Sequence, residues 1–401
     1  MVEGDKRLKV GVARETYPGE GRVAIIPDAV PLLMKRGLEV MIESGAGLKA
    51  GFTDDAYKQK GAEIVADRAG IFSTADIILC VRCAGANTLE GKSDFSLMRK
   101  DQVIIGMMDP LSEPKAISEL ADTGAISFAL ELIPRITRAQ SMDVLSSMAN
   151  IAGYKAVVLA ADMLPKMFPM MMTAAGTITP ARVFVVGVGV AGLQAIATAK
   201  RLGAVVKAYD IRPAVKEQVQ SLGADFVELE LGTVDAEDSG GYAKAMDEEF
   251  YKRQREMMKK VVAESDVVIT TASVPGKKAP ILITTEMALG MAPGSVIVDL
   301  AAERGGNCEC TKFGETIKFS GLTIVGLSDL SSTVPYHASQ MYAKNISTFL
   351  LNLIKDGELN IDLDDEIISD TLLTRDNEVI NSRVSSLLGL SREEENTDKG
   401  N

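Results

Sequence analysis

Three glycines at fixed spacing carry the clearest chemical signal in this sequence. Gly187, Gly189 and Gly192 form a G-x-G-x-x-G motif, with Val188 and Val190 between them, directly after the apolar run RVFVV. The first glycine permits a tight turn, the second lets the backbone approach a pyrophosphate, and the third allows close packing of a helix on the strand. Amides at the start of that helix would point at the phosphates. We therefore predict a dinucleotide site at this turn.

An acid follows at the position where a ribose would lie. Asp210 ends the next apolar run, AVVKAYD, 23 positions after Gly187. A carboxylate there accepts hydrogen bonds from the adenosine ribose hydroxyls and repels a 2′-phosphate, which favours NAD over NADP. Ile211 and Arg212 come next, and an arginine nearby can hold that phosphate instead. We give Asp210 more weight and predict NAD(H).

Groups for acid–base or metal chemistry are few. Four cysteines occur, as a CxxC at Cys80 and Cys83 and a CxC at Cys308 and Cys310, with a single histidine, His337. A zinc site would need further ligands of these types, so we predict reduced thiols and no metal. A dehydrogenase acting on an alcohol or amine must also move a proton, usually with a histidine or lysine. Hydride exchange between two nicotinamides moves no substrate proton and requires positioning.

Composition narrows the functional classes. The 401 residues suggest two or three domains, and the net charge of −12 argues against a diffuse nucleic-acid surface. Uninterrupted apolar runs are shorter than the ~20 residues that cross a bilayer. The first residues do not resemble a secretory signal. We expect a chain in the cytosol or an equivalent compartment that has no transmembrane segment and does not bind nucleic acid.

Strand-like and helix-like segments alternate in two series. The first contains LKVGVA, LEVMIE, ADIILCV and QVIIGMM, and the second contains RVFVVGV, AVVKAYD, DVVITTA, GSVIVDL and LTIVGL. This alternation predicts two Rossmann-like, doubly wound α/β domains of parallel sheet with an interdomain cleft. Long helices are predicted over residues 137–163 and 337–355. The predicted domains are 1–136 with 335–385, and 137–334, followed by a polar tail at 386–401.

Four stretches of the chain resemble one protein family. They are RETYPGEGRVAIIP (14–27), ELIPRITRAQSMDVLSSMANIAGYKAV (131–157), FPMMMTAAGTITPARVFVVGVGVAGLQAIATAKRLGA (168–204) and SGGYAKAM (239–246). These are similar to the NAD(H)-binding component of proton-translocating NAD(P) transhydrogenases, in a wider family that includes alanine dehydrogenase. The RAQSMD and GGYAKAM segments resemble the transhydrogenase branch in particular.

The resemblance implies where the nicotinamide lies. Arg135, Ile136, Thr137 and Gln140 would be at the nicotinamide end, with Gln140 on the dihydronicotinamide ribose. Asp143 and Ser146 would anchor the carboxamide, for which one acceptor and one donor are chemically suitable. On the residues alone, Asp143 and Ser146 are equally well read as polar positions at a helix start.

The resemblance also implies contacts on the adenosine side. Gly241 and Tyr242 match a loop that closes over the bound nucleotide in this family. Gln254 and Ser273 match adenosine-side and strand-end contact positions, and the contact at 273 is expected through the backbone.

The implied function is direct hydride transfer between NAD(H) on this chain and NADP(H) on a partner subunit. A membrane-spanning subunit would couple the transfer to proton movement. This chain would be a homodimer, peripheral on the cytoplasmic or matrix-equivalent face of the inner membrane. One alternative is an alanine dehydrogenase, but Cys80 and Met107 stand where that enzyme is expected to carry a lysine and a histidine. Another alternative is a protein that senses NAD without catalysis.

Overall fold

The chain forms two compact units in a computed structural model that describes residues 7–228, 248–274 and 276–390. One unit comprises Met1–Leu145 with Pro335–Asn401, and the other comprises Ser146–Val334. We call them unit 1 and unit 2. The loop predicted around Gly241 and Tyr242 lies outside the described residues, as does the tail at 391–401. The predicted domain bounds and the cleft stay predictions.

Strands and helices alternate through the opening stretch of unit 1. In chain order they are β1 Lys9–Val12, α1 Val30–Met34, β2 Glu39–Glu43, α2 Asp54–Gln59, β3 Glu63–Val65, α3 Arg68–Thr74, β4 Ile77–Arg82, β5 Val103–Met107, α4 Pro114–Ala121 and β6 Ile126–Ala129. A 3₁₀ turn at Thr137–Met142 then precedes the long helix α5, Val144–Met163.

Unit 2 continues from α5 with a second alternating series. Its elements are β7 Met171–Thr173, β8 Gly176–Ile178, β9 Arg182–Val186, α6 Val190–Arg201, β10 Val205–Tyr209, α7 Lys216–Ser221, β11 Asp225–Phe226, α8 Glu248–Ala263, β12 Val267–Thr270, α9 Thr285–Leu289, β13 Val296–Asp299, β14 Thr316–Phe319 and β15 Leu322–Val325.

The chain then returns to unit 1. Its last elements are α10 Pro335–Asn352, β16 Ile354–Lys355, β17 Glu358–Leu359, α11 Glu366–Thr371, β18 Leu372–Arg375, β19 Glu378–Val379 and α12 Ser382–Leu387. The helix predicted over 337–355 corresponds to α10.

Both units are built on the same strand order. Unit 1 has the order β19-β18-β6-β5-β4-β1-β2-β3, and unit 2 has β11-β10-β9-β12-β13-β15-β14. β18, β19 and β14 pair antiparallel, and the remaining pairs are parallel. In each parallel region the order is third, second, first, fourth, fifth, sixth strand, which is the doubly wound arrangement. The predicted fold class is therefore confirmed.

Burial explains why the central strands form. All residues of β4, β12 and β13 are buried, and most are valine or isoleucine. Runs of this kind are typical of parallel strands covered by helices on both faces. The apolar runs identified in the sequence correspond to β1, β2, β4 and β5 in unit 1, and to β9, β10, β12, β13 and β15 in unit 2.

The helix predicted over residues 137–163 is wrong in its first six residues. Thr137–Met142 forms a separate 3₁₀ turn, and α5 begins at Val144. Asp143 lies between them with φ −70° and ψ 94°, which is not helical. Aspartate is favoured directly before a helix, where its side chain can accept amide hydrogen bonds, so the chain breaks at this residue.

Helix α5 belongs to the core of unit 2. Its residues Ala156, Val157 and Ala160 are fully buried there. A Cβ added at Gly153 would lie 2.1 Å from the carbonyl oxygen of Ala191, so α5 and the start of α6 approach at backbone distance.

Within the described residues, α5 also has the length and apolar composition to cross a bilayer. Core helices of water-soluble proteins pass the same test, so this is weak evidence for a span. The expectation from sequence rested on uninterrupted apolar runs, and Lys155 and Asp162 interrupt this one.

Replacing Gly153 with alanine tests the close approach of α5 and α6. An alanine in an exposed helix usually stabilises by about 1 kcal/mol relative to glycine. Here the added methyl has no room, and we expect Gly153→Ala to lower the free energy of unfolding by about 1–3 kcal/mol. The urea midpoint, read by circular dichroism, measures this. Asn150→Ala, at an exposed position of the same helix, should change stability by less than about 0.5 kcal/mol. An unchanged midpoint for Gly153→Ala would contradict the packing.

Candidate functional site

The glycine turn of unit 2 follows β9, the first strand of its parallel series. Gly187 has φ +96°, a conformation that side chains disfavour, and a Cβ there would lie 2.7 Å from Oγ1 of Thr271. The hydroxyl of Thr271 donates to the Gly187 carbonyl at 2.9 Å. A Cβ at Gly192 would lie 2.0 Å from that same carbonyl oxygen. The turn therefore packs against both β12 and α6 with no space for side chains.

Gly189 differs from its two neighbours in the motif. It is exposed, and a Cβ at this position would have no atom within 4 Å. The residue is the N-cap of α6, whose first residue, Val190, is 39% exposed. The first amides of a helix have no intrahelical partner and lie at the positive end of its dipole. Open backbone at the start of a helix is suited to an anionic group such as a pyrophosphate.

Asp210 links the turn to the end of β10. It is 9% exposed, and its Oδ2 accepts from the Val188 amide at 2.7 Å. Arg212 donates to Oδ1 from its backbone amide and Nε, and to Oδ2 from Nη2, each at 2.9 Å. Nη2 also reaches the Val188 carbonyl at 3.3 Å. The structure thus brings Val188, Asp210 and Arg212 together, with Ile211 half-buried between the last two.

The adenosine-side candidates lie on two other elements of unit 2. Gln254 of α8 is 2% exposed, and its Nε2 donates to the Tyr209 hydroxyl at 2.8 Å. Its Oε1 has no hydrogen-bond partner among the described residues, which leaves a buried acceptor beside the end of β10. Ser273 is exposed in the loop after β12, two positions beyond Thr271.

Sequence reasoning did not identify the network that holds the loops after β12 and β13. Asn307 donates from Nδ2 to the Ala272 carbonyl at 2.8 Å and accepts from the Ala272 amide at 3.0 Å. Asp299 accepts from the amides of Asn307 and Cys308 and from the Thr270 hydroxyl. An acid at the end of the run GSVIVDL was a signal that could have drawn attention to Asp299. Asn307 has no local signal, because its partners are distant in sequence.

The predicted nicotinamide segment lies around the 3₁₀ turn Thr137–Met142. Arg135, Thr137 and Gln140 are exposed, and Ile136, Asp143 and Ser146 are half-buried. Arg135, Asp143 and Ser146 each make hydrogen-bonding or electrostatic interactions. Within the turn, the Asp143 amide donates to the Gln140 carbonyl at 3.4 Å. Arg135, Gln140 and Asp143 belong to unit 1, and Ser146 is the first residue of unit 2.

Comparison with known proteins places this chain among relatives. Residues 11–152 match the N-terminal domain, and residues 156–382 the C-terminal domain, of the family described as alanine dehydrogenase/PNT. The chain belongs to this family. It is 47% identical over 376 residues to an alpha subunit of NAD(P) transhydrogenase from Rhodospirillum rubrum, covering 93% of this chain and 98% of that one.

Two further relatives bracket the family. A crystal structure of a transhydrogenase from Sinorhizobium meliloti matches with a TM-score of 0.81 and 43% identity, covering 93% of this chain and 99% of that one. An alanine dehydrogenase of Methanococcus maripaludis is 31% identical, over 75% of this chain and 74% of its own length. The resemblance to the transhydrogenase branch inferred from the sequence is confirmed.

The residues of unit 2 fit a dinucleotide. The open backbone at Gly189 and the first turn of α6 are suited to a pyrophosphate, and the carboxylate of Asp210 is suited to ribose hydroxyls. The unpartnered Oε1 of Gln254 is a buried acceptor close to the same strand end. A buried acceptor left without a donor is unfavourable, so a ligand donor there would stabilise it.

Two carboxyl groups of unit 1 are held at the ends of its parallel strands. Glu131 Oε1 accepts from the Met108 and Asp109 amides, both at 2.7 Å, just before the segment that carries Arg135. Burial raises the pKa of Glu131 to about 7, against the lowering effect of those amides. Burial and the nearby Glu20 carboxylate raise the pKa of Glu15 to about 7 as well.

These raised values predict how stability depends on pH. A carboxyl group whose pKa is higher in the folded state binds more protons when folded, so its contribution is complete below about pH 4.5 and is lost as pH rises through about 7. Glutamine at position 131 stays neutral and avoids that loss. The stability of Glu131→Gln relative to the unmodified protein should therefore increase from pH 5 to pH 8, by about 1–3 kcal/mol.

Thermal unfolding midpoints across this pH range provide the measurement. Glu113→Gln, at an exposed position of unit 1, serves as the control and should show a difference that is constant with pH. A difference for Glu131→Gln that is equally flat would show that this carboxyl group titrates at its ordinary value.

Proposed function

We propose that this chain is the NAD(H)-binding subunit of a proton-translocating NAD(P) transhydrogenase. The supporting observation is the pairing of an open glycine turn with the Asp210 carboxylate in a chain 47% identical to a transhydrogenase alpha subunit along 98% of its length. Hydride passes directly between NAD(H) here and NADP(H) on a partner subunit. A membrane-spanning subunit couples that transfer to proton translocation, and two copies of this chain form a homodimer.

Unit 2 would hold the dinucleotide at one end of its sheet. The backbone of the turn, from Gly187 to Gly192, and the first amides of α6 would bind the pyrophosphate. Asp210 would accept from the adenosine ribose hydroxyls, and Ile211 and Arg212 would line the same end. Gln254 would offer its buried Oε1 to a donor on the adenosine side, and the Ser273 backbone would contact the ligand near the end of β12.

The segment from Arg135 to Ser146 would position the nicotinamide. Bound NAD(H) supplies a ring that donates or accepts hydride. Gln140 would hold the attached ribose, and Asp143 and Ser146 would bind the carboxamide as acceptor and donor. Direct transfer requires alignment more than acid–base chemistry, so exposed polar side chains on a short turn are adequate for the task.

Alanine dehydrogenase activity is the second candidate, because an alanine dehydrogenase is among the relatives at 31% identity. That reaction requires a proton donor near the keto acid. Cys80 and Met107 stand where the lysine and histidine are expected, and Cys80 is 7% exposed within β4. Oxidation of NADH with pyruvate and ammonia would establish this activity. A chain that binds NADH but transfers no hydride with the NADP(H)-binding partner present would instead be an NAD-sensing protein.

Cofactor selectivity tests the role of Asp210. We expect the unmodified protein to bind NADH much more tightly than NADPH, because the 2′-phosphate would face this carboxylate. Asp210→Asn removes the charge and should narrow the affinity ratio by about tenfold or more. Calorimetric titration with both nucleotides measures it, and Asp225→Asn, an exposed acid on β11, should leave the ratio unchanged. Equal affinities in the unmodified protein would refute the assignment.

Gln140→Asn should lower hydride transfer far more than NADH binding. The shortened side chain leaves the adenosine and pyrophosphate contacts intact, while transfer needs reacting atoms within roughly 3–3.5 Å. A displacement of about 1 Å reduces such a rate by about a hundredfold. The assay is reduction of an NADP analogue by NADH with the partner subunits present, beside a separate NADH titration. Gln218→Asn, at an exposed position on α7, is the control. Loss of binding in proportion to rate would rule out this role.

A further inference from the structure

The turn that carries Gln140 depends on other elements of unit 1 for its position. Thr137–Met142 is a six-residue 3₁₀ turn, a conformation with weak hydrogen-bond geometry that is seldom this long. Ala139 and Met142 are buried beneath it, while Gln140 and Ser141 are exposed. Local hydrogen bonds alone are therefore a poor means of fixing the location of Gln140.

Asn345 of α10 binds the turn directly after Gln140. Its Nδ2 donates to the Ser141 carbonyl at 2.9 Å, across 204 residues of sequence. The side chain is 5% exposed, and its Oδ1 has no partner in the described part of the chain. A buried amide with an unpaired oxygen is unfavourable for stability. The contact with Ser141 gives this asparagine a role that stability alone does not.

Asp365, which precedes α11, binds the turn before Gln140. Arg138 donates from Nη1 and Nη2 to its two carboxylate oxygens at 2.9 and 2.5 Å. Asp365 also accepts from Asn352 Nδ2 at 3.1 Å and from the Ile367 amide at 2.9 Å, so it is itself fixed. The Arg138 side chain is 53% exposed, which weakens the attraction, but a two-point contact still sets direction.

These two contacts lie on either side of Gln140, at Arg138 and at Ser141. We propose that Asn345 and Asp365 are positioning residues for hydride transfer, which hold the turn so that Gln140 meets the nicotinamide ribose. This inference rests on the proposed function. Neither residue touches the cofactor in this scheme, and both act through the backbone that carries Gln140.

Substitutions at Asn345 provide the first test. Asn345→Ala removes the donor, and Asn345→Asp keeps the shape but directs an acceptor at the Ser141 carbonyl. Ser347→Ala is the matched control, because this hydroxyl is on the same helix, is 1% exposed, and has no partner among the described residues. With the partner subunits present, both Asn345 variants should slow hydride transfer by about tenfold or more. The dissociation constant of NADH should change by less than about twofold, and the control should match the unmodified protein.

A double-mutant cycle separates positioning from a general effect on folding. If Asn345 acts through Gln140, then Asn345→Ala should slow transfer by less than about twofold when Gln140→Asn is already present. Additive losses in the double variant, or an unchanged rate in Asn345→Ala alone, would overturn the proposal.

Hydrogen exchange tests the same idea without any activity. In the isolated chain, amides 137–143 should exchange several-fold faster in Asn345→Ala and in Asp365→Asn than in the unmodified protein. Asparagine can still cap α11, so Asp365→Asn removes the ion pair selectively. Unchanged exchange in both variants would overturn the inference. If the unmodified complex transfers no hydride, the proposed function fails, whatever the exchange result.

Discussion

The Gly187 carbonyl leaves no room for a side chain on α6, and much of unit 2 depends on that contact. A Cβ at Gly192 would lie 2.0 Å from this oxygen, so the strand turn and the helix meet backbone to backbone. On its other side, the first turn of α6 meets α5 in the same way, through Ala191 and Gly153. The start of α6 is thus held between two backbone contacts. Its free amides keep a fixed direction, which is the requirement for a preorganised anion site.

One carboxylate organises the polar side of that turn. Asp210 accepts from the Val188 amide and makes three contacts with Arg212, so the acid and the base lie side by side at the end of β10. The pairing qualifies the electrostatic argument for NAD. A lone carboxylate repels a 2′-phosphate strongly, whereas one neutralised by a guanidinium repels it less. Selectivity therefore depends on how much of the Asp210 charge Arg212 compensates.

The regular elements of the fold were predictable from local pattern, and the details of the site were not. Apolar runs identify buried parallel strands because both faces of those strands are covered. Short strands such as β3 and β6 carry too few residues for a pattern. The break at Asp143 was missed because the apolar spacing continues across it, although aspartate before a helix is a known signal. The contacts of Asn307 and Asn345 join residues distant in sequence, and no local pattern contains them.

The two units show why a common strand order does not produce two equal sites. In unit 2, Asp210 at the end of the second strand accepts the amide of Val188, two residues beyond the first strand. In unit 1, Glu43 at the end of the second strand accepts the amide of Arg14, at the equivalent place, at 2.8 Å. The turns then diverge. Unit 2 continues with exposed Gly189 and open backbone, whereas unit 1 places Glu15 there, with its carboxylate on two amides at the end of β4. A carboxylate in that position uses the donors a phosphate would need and repels its charge, so the dinucleotide is favoured in unit 2.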